Sequence, residues 1–308
     1  MAHLGKTELD VFRLCLGGNV FGWTADRDTS FTILDAYVAA GGNFIDTSDS
    51  YMWRIPGNSG GESETIIGRW MAERGNRDDI VLATKVGSDG GLSADNIRAH
   101  VEGSLQRLQT DRIDLYYSHK DDGSVPVIET LRAYDELVRD GKVRHIAASN
   151  VSPARLRESL EVSWREGLAE YVALQPHYNL VERSGYEREY APLVAEHDLA
   201  CLPYYGLAKG FLTGKYRPGG PAVDSPRASG ALGYLDARGE RVLAALDAVA
   251  AERAATVSAV ALAWVSAQPG VVAPIASARS VSQLEALLPA VGLKLTDEEL
   301  AVLTEASE

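Results

Sequence analysis

The chain has little cysteine, little positive charge and no long hydrophobic run. Its 308 residues include only two cysteines, Cys15 and Cys201. Each lies in an apolar, strand-like stretch, so two buried thiols are expected rather than a disulfide framework. No Cys–His cluster has metal-ligand spacing, and no metal is expected. Lys and Arg number 30 against 43 Asp and Glu, a net charge of −13. That balance argues against nucleic acid or an anionic membrane as the main partner. Any phosphorylated ligand must be held by a local basic or amide-rich pocket, because the overall field repels it. The most apolar stretch, 257–276, is interrupted by Ser266, Gln268, Pro269, Gly270 and Pro274. It cannot supply an uninterrupted membrane span. Residues 1–8 have no apolar core and do not read as a signal peptide. A cytoplasmic protein is expected. There is no solenoid repeat and no linker long enough to divide domains, so 1–308 reads as a single domain.

What is present is alternation. With 45% apolar and 24% charged residues, the composition is that of an ordinary soluble globular protein. Short apolar runs at 14–16, 43–46, 80–84, 113–117, 145–148, 172–174, 200–203 and 271–275 suit strands covered on both faces. Between them lie helical patterns at 29–40, 63–74, 94–108, 127–139, 153–166, 187–197, 241–253 and 281–288. Asp28 or Thr29, Ser93 and Ser152 can cap helix starts, the last followed by Pro153. Eight strands alternating with eight helices predict an α/β fold, a (β/α)8 TIM barrel. A hairpin over 4–12 and long loops at 52–61 and 217–233 would decorate it. The competing doubly wound sheet usually carries Gly-x-Gly-x-x-Gly after its first strand. Here Gly17-Gly18-Asn19-Val20-Phe21-Gly22 follows instead, and the spacing does not match.

In such a barrel, chemistry sits at the carboxyl ends of strands. Three successive strands end on reactive groups. The strand Phe44-Ile45 runs into Asp46, with Tyr51 five positions later. The next ends on Lys85, and the next on His119. A phenol is a weak acid, with a reference pKa of about 10. A neighbouring ammonium, Lys85, is expected to lower it. Asp46 can keep the buried ammonium charged, and His119 can orient a carbonyl oxygen or help move a proton. Singly, each group is more often a packed aromatic, an ion pair or a structural histidine. Four on three consecutive strand ends favour one proton-donating site.

At these residues the chain resembles the aldo-keto reductase family. The resemblance covers nearly the whole length. It rests on Asn43-Phe44-Ile45-Asp46-Thr47-Ser48-Asp49-Ser50-Tyr51, Leu82-Ala83-Thr84-Lys85 and Asp111-Arg112-Ile113-Asp114-Leu115-Tyr116-Tyr117-Ser118-His119. It continues through Ser149-Asn150-Val151-Ser152, Gln175-Pro176-His177-Tyr178-Asn179 and Leu212-Thr213-Gly214-Lys215-Tyr216. The chain is most similar to the bacterial branch related to potassium-channel β subunits. The resemblance implies a barrel that binds NADPH or NADP+ and reduces an aldehyde or ketone, reversibly as an alcohol dehydrogenase. Tyr51 would be the general acid, tuned by Lys85 and Asp46, with His119 orienting the substrate. Ser149, Asn150 and Gln175 would hold the nicotinamide carboxamide, and Tyr204, or adjacent Tyr205, would stack on its ring. The turn containing Gly206, Leu207, Lys209 and Gly210 would wrap the pyrophosphate. Ser277, Arg279 and Gln283 would meet the adenosine 2′-phosphate.

Two departures stand out. Ala276-Ser277 replaces the family's frequent Pro-Gly, and Ala286 stands where an asparagine often faces adenine; both weaken the preference for NADPH. The 52–61 insertion separates Tyr51 from Glu62. Trp53 and Ile55 would form an apolar substrate wall, with Trp23 opposite, Tyr178 nearby and Arg54 meeting an anionic group; or the loop packs on the rim and touches no substrate. A cofactor-binding regulatory subunit with little turnover is the alternative function. A Schiff-base role for Lys85 is disfavoured, since Asp46 and Tyr51 keep it charged. The partner expected is a small carbonyl compound, with a homo-oligomer left open.

Overall fold

A computed structural model describes all 308 residues. Eight short parallel strands form the sheet: β3 (Cys15–Gly17), β4 (Phe44–Asp46), β5 (Val81–Val86), β6 (Ile113–Ser118), β7 (Val143–Ser149), β8 (Tyr171–Gln175), β9 (Ala200–Cys201) and β10 (Ile275–Ala276). They are ordered β10-β3-β4-β5-β6-β7-β8-β9. The two edges meet through the segment before β10. Cys201 N–H donates to Gly270 O, Val272 N–H to Cys201 O, and Ile275 N–H to Pro203 O. The sheet therefore curls into the expected barrel. The last strand is shorter than the predicted 271–275, because Pro274 has no N–H to give the ladder. The N-terminal hairpin pairs β1 (Ala2–His3) with β2 (Asp10–Val11).

Helices α1 (Arg27–Ala39), α2 (Glu62–Arg74), α3 (Ala94–Leu108), α4 (Val127–Arg139) and α5 (Pro153–Glu166) cover the strands in turn. Ser93 and Ser152 cap α3 and α5 as predicted. At α1 the cap is Asp26, whose side chain accepts from Thr29 N–H, so that helix starts earlier than expected. The predicted helix at 187–197 divides into a π-turn at Tyr186–Tyr190 and α6 (Ala191–His197). A short helix, α7 (Ala228–Leu232), stands inside the predicted 217–233 loop. After α8 (Ala237–Glu252) comes α9 (Val257–Ser266), which sequence periodicity does not single out. Eight of its ten residues are buried, so it has no polar face to create a period. Then follow α10 (Val281–Leu287) and α11 (Asp297–Ala306), the latter started by a capping box of Thr296 and Glu299. No single helix is long and apolar enough to cross a membrane; α8 and α9 meet at a 100° bend.

Two apolar layers hold the barrel. One lies between strands and helices and includes Trp70, Tyr134 and Trp264. The other fills the barrel interior with Leu4, Phe44, Leu115, Tyr117 and Leu202. The interior is thus a packed core, and a side chain at a strand's carboxyl end has only the open mouth to face.

Candidate active site

A cavity of about 700 Å³ opens at that mouth. Asp46, Tyr51, His119, Ser149, Asn150 and Gln175 lie along one end. Lys85 lies beneath them, with no exposed surface. Its Nζ donates to Asp46 Oδ2 at 2.6 Å, to Thr47 O at 2.7 Å and to Tyr51 Oη at 2.6 Å. All three ammonium protons are thereby used. Tyr51 Oη donates to Asp46 Oδ2 at 2.9 Å, and Gln175 Nε2 to Asp46 Oδ1 at 3.0 Å. The four residues named from strand ends do converge.

The electrostatics differ from the sequence expectation in one respect. Burial, and then the Asp46 carboxylate, push the Tyr51 phenol well above its ordinary value. Lys85 is lowered by burial, with Asp46 opposing the shift. The resting phenol is therefore held neutral and keeps its proton. His119 sits edge-on to Tyr51, ring centroids 5.8 Å apart. Most of its ring is enclosed while one edge meets the cavity. Burial, and then the Lys85 charge, push it down to about 3, so the imidazole is neutral.

The amide-binding candidates are joined to one another. Asn150 Nδ2 donates to His119 O at 2.8 Å and to Ser149 Oγ at 3.0 Å. Its Oδ1 accepts from Tyr204 Oη at 2.9 Å. The Tyr204 ring lies parallel to His177, 5.3 Å away, and both Tyr204 and Tyr205 line the cavity. Gly206, Leu207, Lys209 and Gly210 follow, with φ of 46° at Ala208, 60° at Lys209 and 98° at Gly210. Consecutive left-handed residues, two of them not glycine, are costly and persist where surrounding structure enforces them.

The cavity wall also carries four cations. Lys209, Lys215, Arg227 and Arg279 line it together with Ser277 and Gln283. None of the four cations is in the protein's ion pairs, although acids outnumber bases. Burial, and then the charges of Arg279 and Arg227, lower Lys215. Burial likewise lowers Arg227, whose guanidinium lies 5.5 Å from the Trp23 ring centroid. Close approach at the near wall requires Gly17, where a Cβ would come within 2.7 Å of Ser277 Oγ. Sequence reasoning missed Lys215 and Arg227. Lys215 stood inside the Leu212–Tyr216 motif without a role. Arg227 fell in a Pro-, Gly- and Ser-rich loop where no periodicity marks a buried side.

Three substrate candidates are not brought to the cavity. Tyr178 is 1% exposed and packs between Tyr186 and Trp264, with its hydroxyl donating to Glu187 Oε1 at 2.9 Å. Its side chain points into the helix layer. Trp53 is 42% exposed and carries the Arg54 guanidinium over its ring at 4.7 Å. Ile55, partly buried, is also absent from the cavity wall. The 52–61 loop is tied to the rim: Glu62 accepts from Ser59 and Gly60 N–H, and Asn58 Nδ2 donates to Gly22 O. The loop is thus packed on the rim, with Trp53 and Ile55 outside the cavity wall. Trp23 does line the cavity.

The aldo/keto reductase family model matches residues 13–308. An oxidoreductase of Bacillus subtilis strain 168, YrpG, is 36% identical over 98% of this chain and 94% of its own. Norsolorinic acid reductase B of Aspergillus parasiticus is 33% identical over 96% of this chain and 80% of its own. A probable voltage-gated potassium channel subunit beta of Oryza sativa subsp. japonica is 32% identical over 92% of this chain and 88% of its own. The chain belongs to the aldo/keto reductase family and is an oxidoreductase.

Proposed function

We propose that this aldo/keto reductase family member is an NADPH-dependent reductase of aldehydes or ketones, with Tyr51 as proton donor. The observation that carries the cofactor half is the set of four cations without acid partners in the wall of a 700 Å³ cavity. Guanidinium groups pair well with phosphate oxygens. Arg279, Arg227, Lys215 and Lys209 would hold the phosphates, with Ser277 and Gln283 beside them. Ser149, Asn150 and Gln175 offer amide and hydroxyl groups suited to a carboxamide. Ala286 itself offers adenine no hydrogen-bonding side chain, so affinity would rest more on the phosphates. When bound, the nicotinamide supplies the hydride.

The chain's own part is the proton. Tyr51 keeps its hydrogen because burial and Asp46 disfavour the phenolate. As negative charge develops on a substrate oxygen nearby, that hydrogen can pass to it. Lys85, 2.6 Å from the phenol oxygen, then stabilises the phenolate left behind. Asp46 fixes Lys85, and the packed barrel beneath keeps water away from the pair.

The test is a panel of aldehydes and ketones with NADPH oxidation followed by absorbance, against NADH as control. Turnover with NADPH of one carbonyl class supports the reading. Tight NADPH binding with no turnover of any carbonyl would replace it with a cofactor-binding regulatory role; the rice relative is named as a probable channel subunit.

A further inference from the structure

Outside the cavity, one pair of titratable side chains joins the turn that carries Tyr51 to the helix layer. Asp49 Oδ2 lies 2.7 Å from Nδ1 of His100 on α3. The Asp49 side chain is 2% exposed and that of His100 29%, so the pair links a buried carboxylate to bulk water. No lysine or arginine makes an ion pair with Asp49; His100 is its one basic partner. Between Asp46 and Tyr51 the chain has no helix or strand. Thr47 N–H donates to Ala83 O at 2.8 Å and Asp49 N–H to Lys85 O at a longer 3.3 Å. The next amide, Ser50 N–H, bonds only to Ser48 Oγ within the turn. Asp49 is thus the last residue before Tyr51 whose side chain bonds to another element. Met52, directly after Tyr51, has φ of 59°, a costly conformation that surrounding structure must enforce.

The charge of this link can change. His100 is faced by Asp49 on the turn, by Asp89 in the loop after β5 and by Arg107 on its own helix. Glu64 on α2, Lys85 on β5 and His119 after β6 face Asp49 in turn. The hydrogen bond to Asp49 raises His100 above its ordinary value; burial and Arg107 oppose the shift, and the charges of Asp49 and Asp89 add to it. A histidine raised by folding adds stability in full below its unfolded value of about 6.5, and that share is lost as pH rises through the folded value. Beyond that point Nδ1 can still donate a hydrogen bond, without the attraction between two ions.

We propose that Asp49 and His100 are positioning residues for Tyr51: they clasp its turn to α3 while His100 carries a proton, and the turn loosens when that proton leaves to solvent. The placement of the proton donor thereby follows the pH outside the cavity, although the buried phenol stays neutral in the same range. The clasp needs no ligand. Its effect on turnover rests on the reductase reading.

Two measurements on the ligand-free full chain read the clasp: the His100 ring-proton signals, assigned by their loss in His100→Gln, and amide hydrogen exchange, corrected for its intrinsic pH dependence. His100 should titrate above an ordinary histidine. Over the same range, exchange of the Asp49 and Ser50 amides should quicken by about fivefold, the upper range for a partly exposed ion pair. His100→Lys keeps a cation near Asp49 and should hold the slow rate at every pH, while His100→Gln should show the fast one. Amides of β8 should keep their rates throughout; if they quicken equally, the pair serves only global stability and the proposal falls. It also falls if the turn is indifferent to the titration, or if His100 titrates no higher than an ordinary histidine. With a carbonyl that the panel shows to be turned over, kcat should decline over the same range in wild type and not in His100→Lys, with NADPH affinity unchanged. A flat kcat with rate-limiting chemistry would overturn the positioning of Tyr51. An exchange step in a protein that turns over no carbonyl would instead discard the reductase reading and leave the clasp standing.

Discussion

Both ends of the barrel bury a carboxylate under cations, and they differ in what the donors can do afterwards. At the amino end, Asp114 Oδ2 accepts from Arg77 Nη2 at 2.8 Å and Leu82 N–H at 2.9 Å, while Oδ1 accepts from Arg144 Nη1 at 3.1 Å. Every donor there is a guanidinium or a backbone amide, and none can release a proton at ordinary pH. At the carboxyl end, Asp46 is equally well served, but one of its donors is the Tyr51 hydroxyl on a cavity wall. One arrangement is closed and serves the fold. The other contains a transferable hydrogen and can serve a reaction.

Substitution at the two ends separates these roles. Tyr51→Phe should lower kcat by roughly 10²–10⁴-fold, the usual worth of a general acid. NADPH affinity, read by fluorescence titration, should stay close to wild type. A Tyr51→Phe enzyme with wild-type kcat and rate-limiting chemistry would erase the distinction between the ends. Asp114→Ala should do the converse. Leaving the partly buried Arg77 without its partner should cost up to about 3 kcal/mol, measured by urea denaturation, while kcat of the protein that remains folded is unchanged.

Within the cavity, Arg227→Ala should weaken NADPH by about 1.5–3 kcal/mol, the value of a hydrogen bond to a charged group. NADH should lose less if Arg227 faces the 2′-phosphate and as much if it faces the pyrophosphate. Loss of neither cofactor's affinity would remove Arg227 from the site. A subtler effect is set by His119. Its folded-state value is about 3, well below that of an unfolded histidine, so the unfolded chain binds a proton that the folded chain refuses. Stability should fall as pH drops from about 6.5 toward 3. Denaturation curves at several pH values should show a shallower fall in His119→Gln. The smallest effect belongs to Trp53→Ala. With the ring outside the cavity, kcat/KM should stay within about 0.5 kcal/mol of wild type for small and bulky aldehydes alike. A selective loss for bulky aldehydes would return the 52–61 loop to the substrate wall.

The sequence was most legible where local chemistry and packing agree. Helices α3, α4 and α5 begin and end at the predicted residues, because each has a polar and an apolar face, and α3 and α5 have serine caps as well. The strand ends were legible for a related reason: a charged residue after a buried apolar run has only the mouth to face. Helix α9 was not, since an all-apolar helix has no period. Tyr178 and Trp53 were placed near the site through proximity along the chain, and neither lines the cavity. Nearness to Gln175 or Tyr51 in sequence fixes how far a side chain can be from the site, and not which way it points. Arg227 shows the reverse, a loop residue far from every motif that folding returns to the cavity.

Gln175 on β8 and Asp46 on β4 are joined by a 3.0 Å bond, and those strands lie four apart in a ring of eight. The bond is a spoke across the diameter of the mouth, and Lys85 adds a second brace from the neighbouring strand. Load placed on the rim is carried by the wheel before it reaches the hub. The 52–61 loop, which lines no part of the cavity, can therefore be lengthened, shortened or exchanged as a fitting on a rigid frame, with the spacing of Asp46 and Lys85 set by the frame.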